Sequence, residues 1–265
     1  MSGQKQPVNV HEHSRSYSIR KHKNVYRYRV TVPKKLFDTA NIENGDELSV
    51  RAEVSSEGYL DLIYSTQTED YDTTVSASKH TSGELTILSA FGASVHLDEY
   101  NIEWQLEEYD SHFKLRGKTD LFLQEYLLDE VNKLDVRTLK HVTQDVEYDG
   151  EDWSQEHFQL YLDVRASEEL DWNDGEEVVL QIGQFEGEII LVYTPRRLMR
   201  DEFVEKNAKK VRKTGDVQRD RLLYVPNDVV RTLGFIDVEL LLLDDSQTLL
   251  VVPEGTTEQE PLIND

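Results

Sequence analysis

The sequence contains no cysteine, which excludes disulfides, a thiolate nucleophile and zinc sites built on cysteine. No apolar run reaches the roughly 18 residues that a membrane-spanning helix needs, and the N-terminus lacks the apolar core of a signal peptide. We therefore expect a cytoplasmic protein without a membrane partner. Phosphate-binding glycine loops, HExxH, GxSxG and EF-hand loops are missing too, so we assign no catalytic residue and do not expect an enzyme.

Positive charge is scarce, and it is unevenly placed. The chain has 29 Lys and Arg against 52 Asp and Glu, a net charge of −23. Residues 1–35 alone carry +8, which leaves −31 for the rest. Such an acidic surface, on a chain whose apolar residues are frequent and patterned, predicts a protein adapted to high cytoplasmic salt rather than a disordered one. At molar salt the Debye length is about 3 Å, so clustered basic residues can still bind a nucleic acid.

Three histidines lie in the basic N-terminal segment: His11, His13 and His22. Imidazoles at such spacing can ligate a metal. Because the segment has no cysteine and no apolar periodicity, we assign neither a metal nor a cofactor to the chain.

One basic pattern occurs twice: Arg-Lys, a spacer, Arg-x-Arg and then Val-Pro. The first copy consists of Arg20, Lys21, Arg27, Arg29, Val32 and Pro33, and the second of Arg212, Lys213, Arg219, Arg221, Val225 and Pro226. Each copy precedes an apolar-rich unit of about forty residues. A repeated unit is stronger evidence of a structural module than a lone motif is.

Three units with a similar pattern of strand, short helix and closing hairpin are predicted: 25–65, 158–195 and 217–254. In the first, Val30 and Val32 alternate with polar residues, Pro33 begins a helix, and Asn44-Gly45-Asp46 forms a turn. The second repeats that turn around Gly175.

The remaining segments are assigned by composition and periodicity. Residues 1–24 are predicted to be a flexible basic arm, 65–84 a loop, 144–156 an acidic linker, 196–216 a largely helical basic bridge and 255–265 an acidic tail. The region 85–142 is predicted to hold β-hairpins followed by a helix over 119–142, because its leucines and valines recur at helical spacing.

The sequence VTVPKKLFDTANIENGDELSV, residues 30–50, resembles the swapped-hairpin module of the AbrB/MazE/SpoVT family. LLYVPNDVVRTLGF, residues 222–235, resembles the same motif, and the second unit resembles it through its turn and closing hairpin. The resemblance implies small β-barrels, each formed when two units interleave their hairpins. We therefore predict a mainly β fold with short helices, plus one longer amphipathic helix.

The resemblance also implies DNA contacts from basic residues before and within the first strand and at the short helix. These positions are Arg20, Lys21, Lys23, Arg27, Arg29, Lys34, Lys35, Arg212, Lys213, Arg219, Arg221 and Arg231. The sequence departs from the family at Tyr28, where glycine is usual, and at Asp38, which corresponds to Arg231.

The pairing of the units follows from the unpaired strand edges that one unit leaves. Only about twenty residues join units two and three, so we expect them to close on each other at high effective concentration. Unit one then needs a partner, most simply its copy in a second chain, which predicts a homodimer.

The leading prediction is a DNA-binding transcriptional regulator of a halophilic archaeon. The alternative is a non-catalytic oligomerisation or interaction protein: a scaffold, an antitoxin-like partner or a virus-related structural component. A small-molecule-sensing regulator is a third class, and it depends on residues 85–142.

Overall fold

The computed structural model describes the backbone of residues 7–18, 20–21, 28–67, 73–76, 83–87, 89–95, 100–148, 151–172, 175–199, 208–210, 212–213, 221–243 and 246–263. It divides into two compact lobes, Met1–Leu123 with Arg231–Gly234 and Gln124–Val230 with Phe235–Asp265. The fold is mainly β with short helices, as predicted. No helix in the described ranges is long and apolar enough to cross a membrane.

The first lobe contains nine described strands and two short helices. They are β1 (Asn9–Ser18), β2 (Arg20–Lys21), β3 (Tyr28–Thr31), α1 (Lys34–Thr39), β4 (Glu47–Val54), β5 (Tyr59–Ser65), β6 (Thr73–Ser76), β7 (Glu84–Ile87), α2 (Ser89–Ser94), β8 (Asn101–Glu108) and β9 (Phe113–Phe122). Six strands form sheet I in the order β1-β8-β9-β5-β4-β6, and three form sheet II in the order β2-β3-β7.

The second lobe contains eleven described strands, one short α-helix and the first part of another. They are β10 (Glu125–Tyr126), β11 (Val131–Thr138), β12 (Lys140–Tyr148), β13 (Glu151–Leu162), α3 (Val164–Glu169), β14 (Glu177–Phe185), β15 (Glu188–Pro195), β16 (Ala208–Lys210), β17 (Arg212–Lys213), β18 (Arg221–Pro226), α4 (Asn227–Leu233), β19 (Asp237–Leu243) and β20 (Leu249–Pro253). The residues of α4 from Arg231 onward group with the first lobe. Sheet III has the order β10-β14-β15-β20-β19-β11, with β16 also on β14, and sheet IV has the order β12-β13-β18-β17.

Four modules with one design build the two lobes. Each is a strand, a short helix and a closing hairpin: module 1 (28–65), module 2 (84–122), module 3 (151–195) and module 4 (221–253). Modules 1, 3 and 4 correspond to the three predicted units. Module 2 was not recognised in the sequence.

The modules interleave in pairs within a lobe. In the first lobe β3 pairs with β7 and β5 pairs with β9, so modules 1 and 2 share both their first strands and their hairpins. In the second lobe β13 pairs with β18 and β15 pairs with β20 in the same way. The predicted closure of units two and three on each other is confirmed.

Module 1 finds its partner within the same chain. The predicted homodimer rested on unpaired strands in unit one, but β3 and β5 are paired with strands of module 2. That argument for a dimer therefore loses its premise.

Local backbone chemistry explains why modules 1 and 3 turn alike. Asn41 and Asp171, at equivalent positions after the helix, have φ of 50° and 52°, and Gly45 and Gly175 have φ of 93° and 81°. Asn, Asp and Gly tolerate this left-handed region better than other residues, so the same turn recurs.

Buried tryptophans join the paired modules. The Trp104 indole of module 2 is 1% exposed and donates to the Thr31 carbonyl of module 1 at 2.9 Å. In the second lobe the Trp172 indole donates to the Gln247 carbonyl, in the β19–β20 connection, at 3.0 Å. Each indole buries a large apolar surface and still satisfies its N–H.

The predicted helix over 119–142 is wrong. This stretch contains the end of β9, then β10, a 3₁₀ turn at Leu128–Glu130, β11 and the start of β12. Thr119, Leu121 and Leu123 are buried at alternate positions, which is the period of a strand, whereas Leu127 and Leu128 are 46% and 40% exposed. The leucine spacing therefore came from two different strands and a turn.

Other predicted connections also contain strands. The arm contains β1, which pairs with β8, and the 65–84 loop contains β6. The acidic linker is part of the β12–β13 hairpin, and the described part of the basic bridge forms a 3₁₀ turn at Arg196–Leu198, then β16 and β17. The acidic tail binds the second lobe, where the amides of Leu262 and Ile263 donate to the carbonyls of Lys133 and Leu134.

Candidate nucleic-acid interface

The first basic pattern forms a strand pair at the edge of sheet II. The Cα register of β2 and β3 places Arg20 opposite Arg29 and Lys21 opposite Tyr28. The register therefore brings two arginines, one from each strand, to facing positions at this edge.

The second basic pattern forms the corresponding strand pair at the edge of sheet IV. Here β17 and β18 place Lys213 opposite Arg221 and Arg212 opposite Leu222. The structure thus brings three predicted site residues together in each lobe: Arg20, Lys21 and Arg29 in the first, and Arg212, Lys213 and Arg221 in the second.

The Arg-Lys dipeptides are structurally equivalent, but the strand arginines are not. Lys21 faces Tyr28, five residues before Pro33, and Lys213 faces Arg221, five residues before Pro226. Arg29 therefore corresponds to Leu222, and the strand arginines of the two patterns differ by one register position. The connection between the paired strands is one residue longer in the second pattern, and the sequence shows the same offset, because Arg29 lies four residues before Pro33 and Arg221 lies five before Pro226.

The helix-borne residues have different surroundings. Lys34 and Lys35 are exposed in α1, immediately after Pro33. Arg231 is half-buried in α4 and groups with the first lobe, where its carbonyl accepts a hydrogen bond from the Arg51 guanidinium. Arg231 therefore belongs to a different lobe from Arg212, Lys213 and Arg221.

Three predicted site residues lie outside the described residues: Lys23, Arg27 and Arg219. The same holds for His22, and no group of three or more metal-ligating side chains was found among the described residues.

Part of the predicted basic bridge is already neutralised. Arg196 donates to Glu177 at 2.8 Å, and Arg197 contacts Glu176 and Asp171. These arginines hold the turn after β15 and are weaker candidates for binding an anion.

The outer face of sheet IV carries aromatic and polar residues that the sequence analysis missed. Phe158 and Leu160 of β13 are buried in the core, so His157, Gln159 and Tyr161 lie on the opposite face. The ring of His157 stacks on that of Tyr224 in β18, with centroids 4.3 Å apart. The sequence signal for this face is the strict alternation of core residues with His157, Gln159 and Tyr161 in HFQLYL, residues 157–162.

A polar cleft of about 590 Å³ lies in the first lobe. Its lining includes Ser55, Tyr59, Asp61, Asn101, Lys118 and Asp120. The backbone and side-chain N–H groups of Asn101 donate to the two oxygens of Asp120 at 2.9 and 2.8 Å, and Asp61 binds Arg116 at 3.0 Å. Burial raises the pKa of Asp61, and the Arg116 guanidinium opposes the rise. These polar groups bind one another, which favours a structural role.

Comparisons with protein families, characterised proteins and solved structures find no match for this chain.

Proposed function

We propose that the protein binds DNA through the β2–β3 and β17–β18 strand pairs and acts as a transcriptional regulator. The observation that carries the proposal is the equivalent placement of Arg-Lys dipeptides against a basic strand in both lobes of a chain whose net charge is −23. Clustered cations against a carboxylate-rich background are suited to a polyanion, and arginine can contact phosphates or guanine edges.

The swapped-hairpin resemblance supports the same function. Its DNA contacts come from basic residues before and within the first strand, which are the positions of Arg20, Lys21 and Arg29. The exposed Lys34 and Lys35 extend positive charge to the start of α1. A salt-adapted archaeal regulator remains the proposed setting, since such contacts act at short range when salt is high.

The test is DNA binding by two double variants, Arg20→Gln/Arg29→Gln and Arg212→Gln/Lys213→Gln, with Arg196→Gln/Arg197→Gln as the matched control. The control removes the same formal charge from arginines that are already paired with acids. Fluorescence anisotropy with a labelled duplex over a KCl series gives both the affinity and its salt dependence.

We expect each test variant to weaken binding and to lower the slope of log K against log salt by about 0.9 for each phosphate contact removed. The control should match the wild type. Sequencing of DNA that co-purifies with the protein then tests for an operator. Equal affinity of test and control variants, or no DNA binding by the wild type at low salt, would refute the proposal and favour the interaction role.

A further inference from the structure

Two half-buried tyrosines lie on the two central strands of sheet IV. Tyr161 belongs to β13 and Tyr224 to β18, and both lie on the face opposite the core. In the register Tyr161 faces Leu222, and Tyr224, two residues further along β18, faces Gln159. The tyrosines are therefore diagonal neighbours, close enough for large side chains to form one surface.

A chain of contacts holds both rings in place. The Tyr161 hydroxyl donates to Gln159 Oε1 at 2.9 Å, and Gln159 Nε2 lies 3.1 Å from His157 Nε2. His157, 4% exposed, stacks on Tyr224. Burial and then the nearby His141 lower the pKa of His157, which favours the neutral imidazole. Rings fixed before binding lose little freedom when a ligand stacks on them.

Basic residues flank the tyrosines on the two edge strands. Lys140 of β12 is exposed and faces Gln159, in the same row as Tyr224. Arg212 of β17 faces Leu222, in the same row as Tyr161. Each tyrosine row therefore includes a cationic residue on an edge strand, and the two cations are on opposite edges of the sheet.

One acid borders this face, and another lies on the opposite face of β13. Glu156 alternates in phase with Phe158, lies 3.7 Å from His141 and accepts from Asn227 at 3.3 Å. Burial and then Asp228 raise the pKa of Tyr224. A bound polyanion is therefore expected to run over the Lys140 and Arg212 edges rather than past Asp228.

We propose that this face is a stacking platform for unpaired bases of a single-stranded nucleic acid. Aromatic rings on central strands stack bases, while cations beside them bind the backbone phosphates. Bases inside a duplex are already stacked on their neighbours, so the platform selects unpaired strands. The inference rests on the proposed nucleic-acid function, and it specifies a single-stranded nucleic acid as the partner of the second lobe.

The test compares Tyr161→Leu/Tyr224→Leu with Tyr161→Phe/Tyr224→Phe in the full chain. Anisotropy probes are labelled oligo-dT and oligo-U of about 20 nucleotides, longer than the roughly 4–16 that one such site covers, and a duplex. Stacking on each tyrosine predicts a loss of roughly 5- to 150-fold for each leucine substitution. The phenylalanine variant should keep its affinity within about threefold, because the rings remain. Duplex affinity should stay unchanged in both variants, and the dT and U probes separate DNA from RNA.

A second measurement does not depend on the leucine variant folding. Wild-type protein should quench the fluorescence of 2-aminopurine in a single strand, and Arg212→Gln should weaken binding without abolishing the quenching at saturation. This inference is overturned if the protein binds the duplex but no single strand, or if the Tyr161→Leu/Tyr224→Leu variant binds single strands as tightly as the wild type. Either result leaves the proposed function unaffected. A third outcome would contradict the proposed function instead. In it, single-strand binding requires the tyrosines, but substitution of the strand-pair arginines leaves duplex binding unchanged.

Discussion

The buried carboxylate of Glu239 in β19 ties the C-terminal tail to the core of the second lobe. Glu239 is 2% exposed and accepts from the Lys133 ammonium at 2.9 Å. It also accepts from the amides of Gly255 and Thr257 at 2.9 and 3.0 Å, and from the Thr257 hydroxyl at 2.7 Å. We predict that Glu239→Gln is among the most destabilising polar substitutions in this lobe.

The magnitude follows from what glutamine cannot satisfy. Lys133 is 7% exposed and loses its counter-charge. The glutamine N–H₂ group also has to face at least one of the donors that now bind a carboxylate oxygen. Removal of one partner from a buried ion pair costs about 3–5 kcal/mol, far more than a surface pair, so we expect a loss in that range.

Urea denaturation followed by circular dichroism gives the free energy of unfolding. Hydrogen exchange at residues 255–263 reports the tail locally. Glu254→Gln is the matched control, because Glu254 is exposed and directly precedes Gly255, whose amide binds Glu239. A loss below about 1 kcal/mol for Glu239→Gln, or an unchanged exchange rate in the tail, would refute the role assigned to this network.

The same network fixes a pH dependence. Burial alone would raise the pKa of Glu239, but hydrogen bonds from Lys133, Thr257 and Gly255 outweigh it and leave the pKa below the ordinary 4.5. A lowered folded-state pKa means that the stabilisation is complete above about pH 4.5 and is lost as the pH falls through the folded value. Tail protection should therefore persist through pH 5 in the wild type and weaken only in stronger acid.

Two further predictions concern the cores. The Tyr64 and Tyr193 hydroxyls are buried and have no hydrogen-bond partner among the described residues, and burial raises the pKa of both. Each Tyr→Phe change should therefore be neutral or stabilising by about 1 kcal/mol in urea denaturation, whereas a loss above that size would reveal a hydroxyl partner. Gly117→Ala would place a Cβ 2.4 Å from the Ile102 Cδ1 and 3.1 Å from the Trp104 ring, so we expect a loss of about 1–3 kcal/mol, and a variant as stable as the wild type would contradict the tight packing.

The sequence predicted three of the four modules because their own residues specify the turns. Pro33, Gly45 and Gly175 set local backbone geometry, and they are visible without a structure. Module 2 has no Val-Pro before its helix and no Asn-Gly-Asp turn. Its strands are specified by their partners, since β7 and β9 lie against β3 and β5, and such long-range pairing leaves little local signal.

The candidate site was predictable in composition but not in register. The basic residues of both patterns were identified from the sequence, but the facing pairs, Arg20 with Arg29 and Lys213 with Arg221, depend on how β2 and β17 pair. The aromatic face of sheet IV was missed because Tyr161 and Tyr224 are far apart in the chain and become neighbours only through the β13–β18 pairing.

The two lobes repeat one strand order, so differences at equivalent positions show where function can diverge. The order β1-β8-β9-β5-β4-β6 in the first lobe corresponds to β11-β19-β20-β15-β14-β16 in the second, which makes module 3 the counterpart of module 1 by strand order, whereas the Arg-Lys pattern of module 1 recurs before module 4. Just before the buried Val30 stands Arg29, and just before the equivalent Leu160 stands Gln159, which holds Tyr161. One lobe thus places a cation where the other supports an aromatic ring.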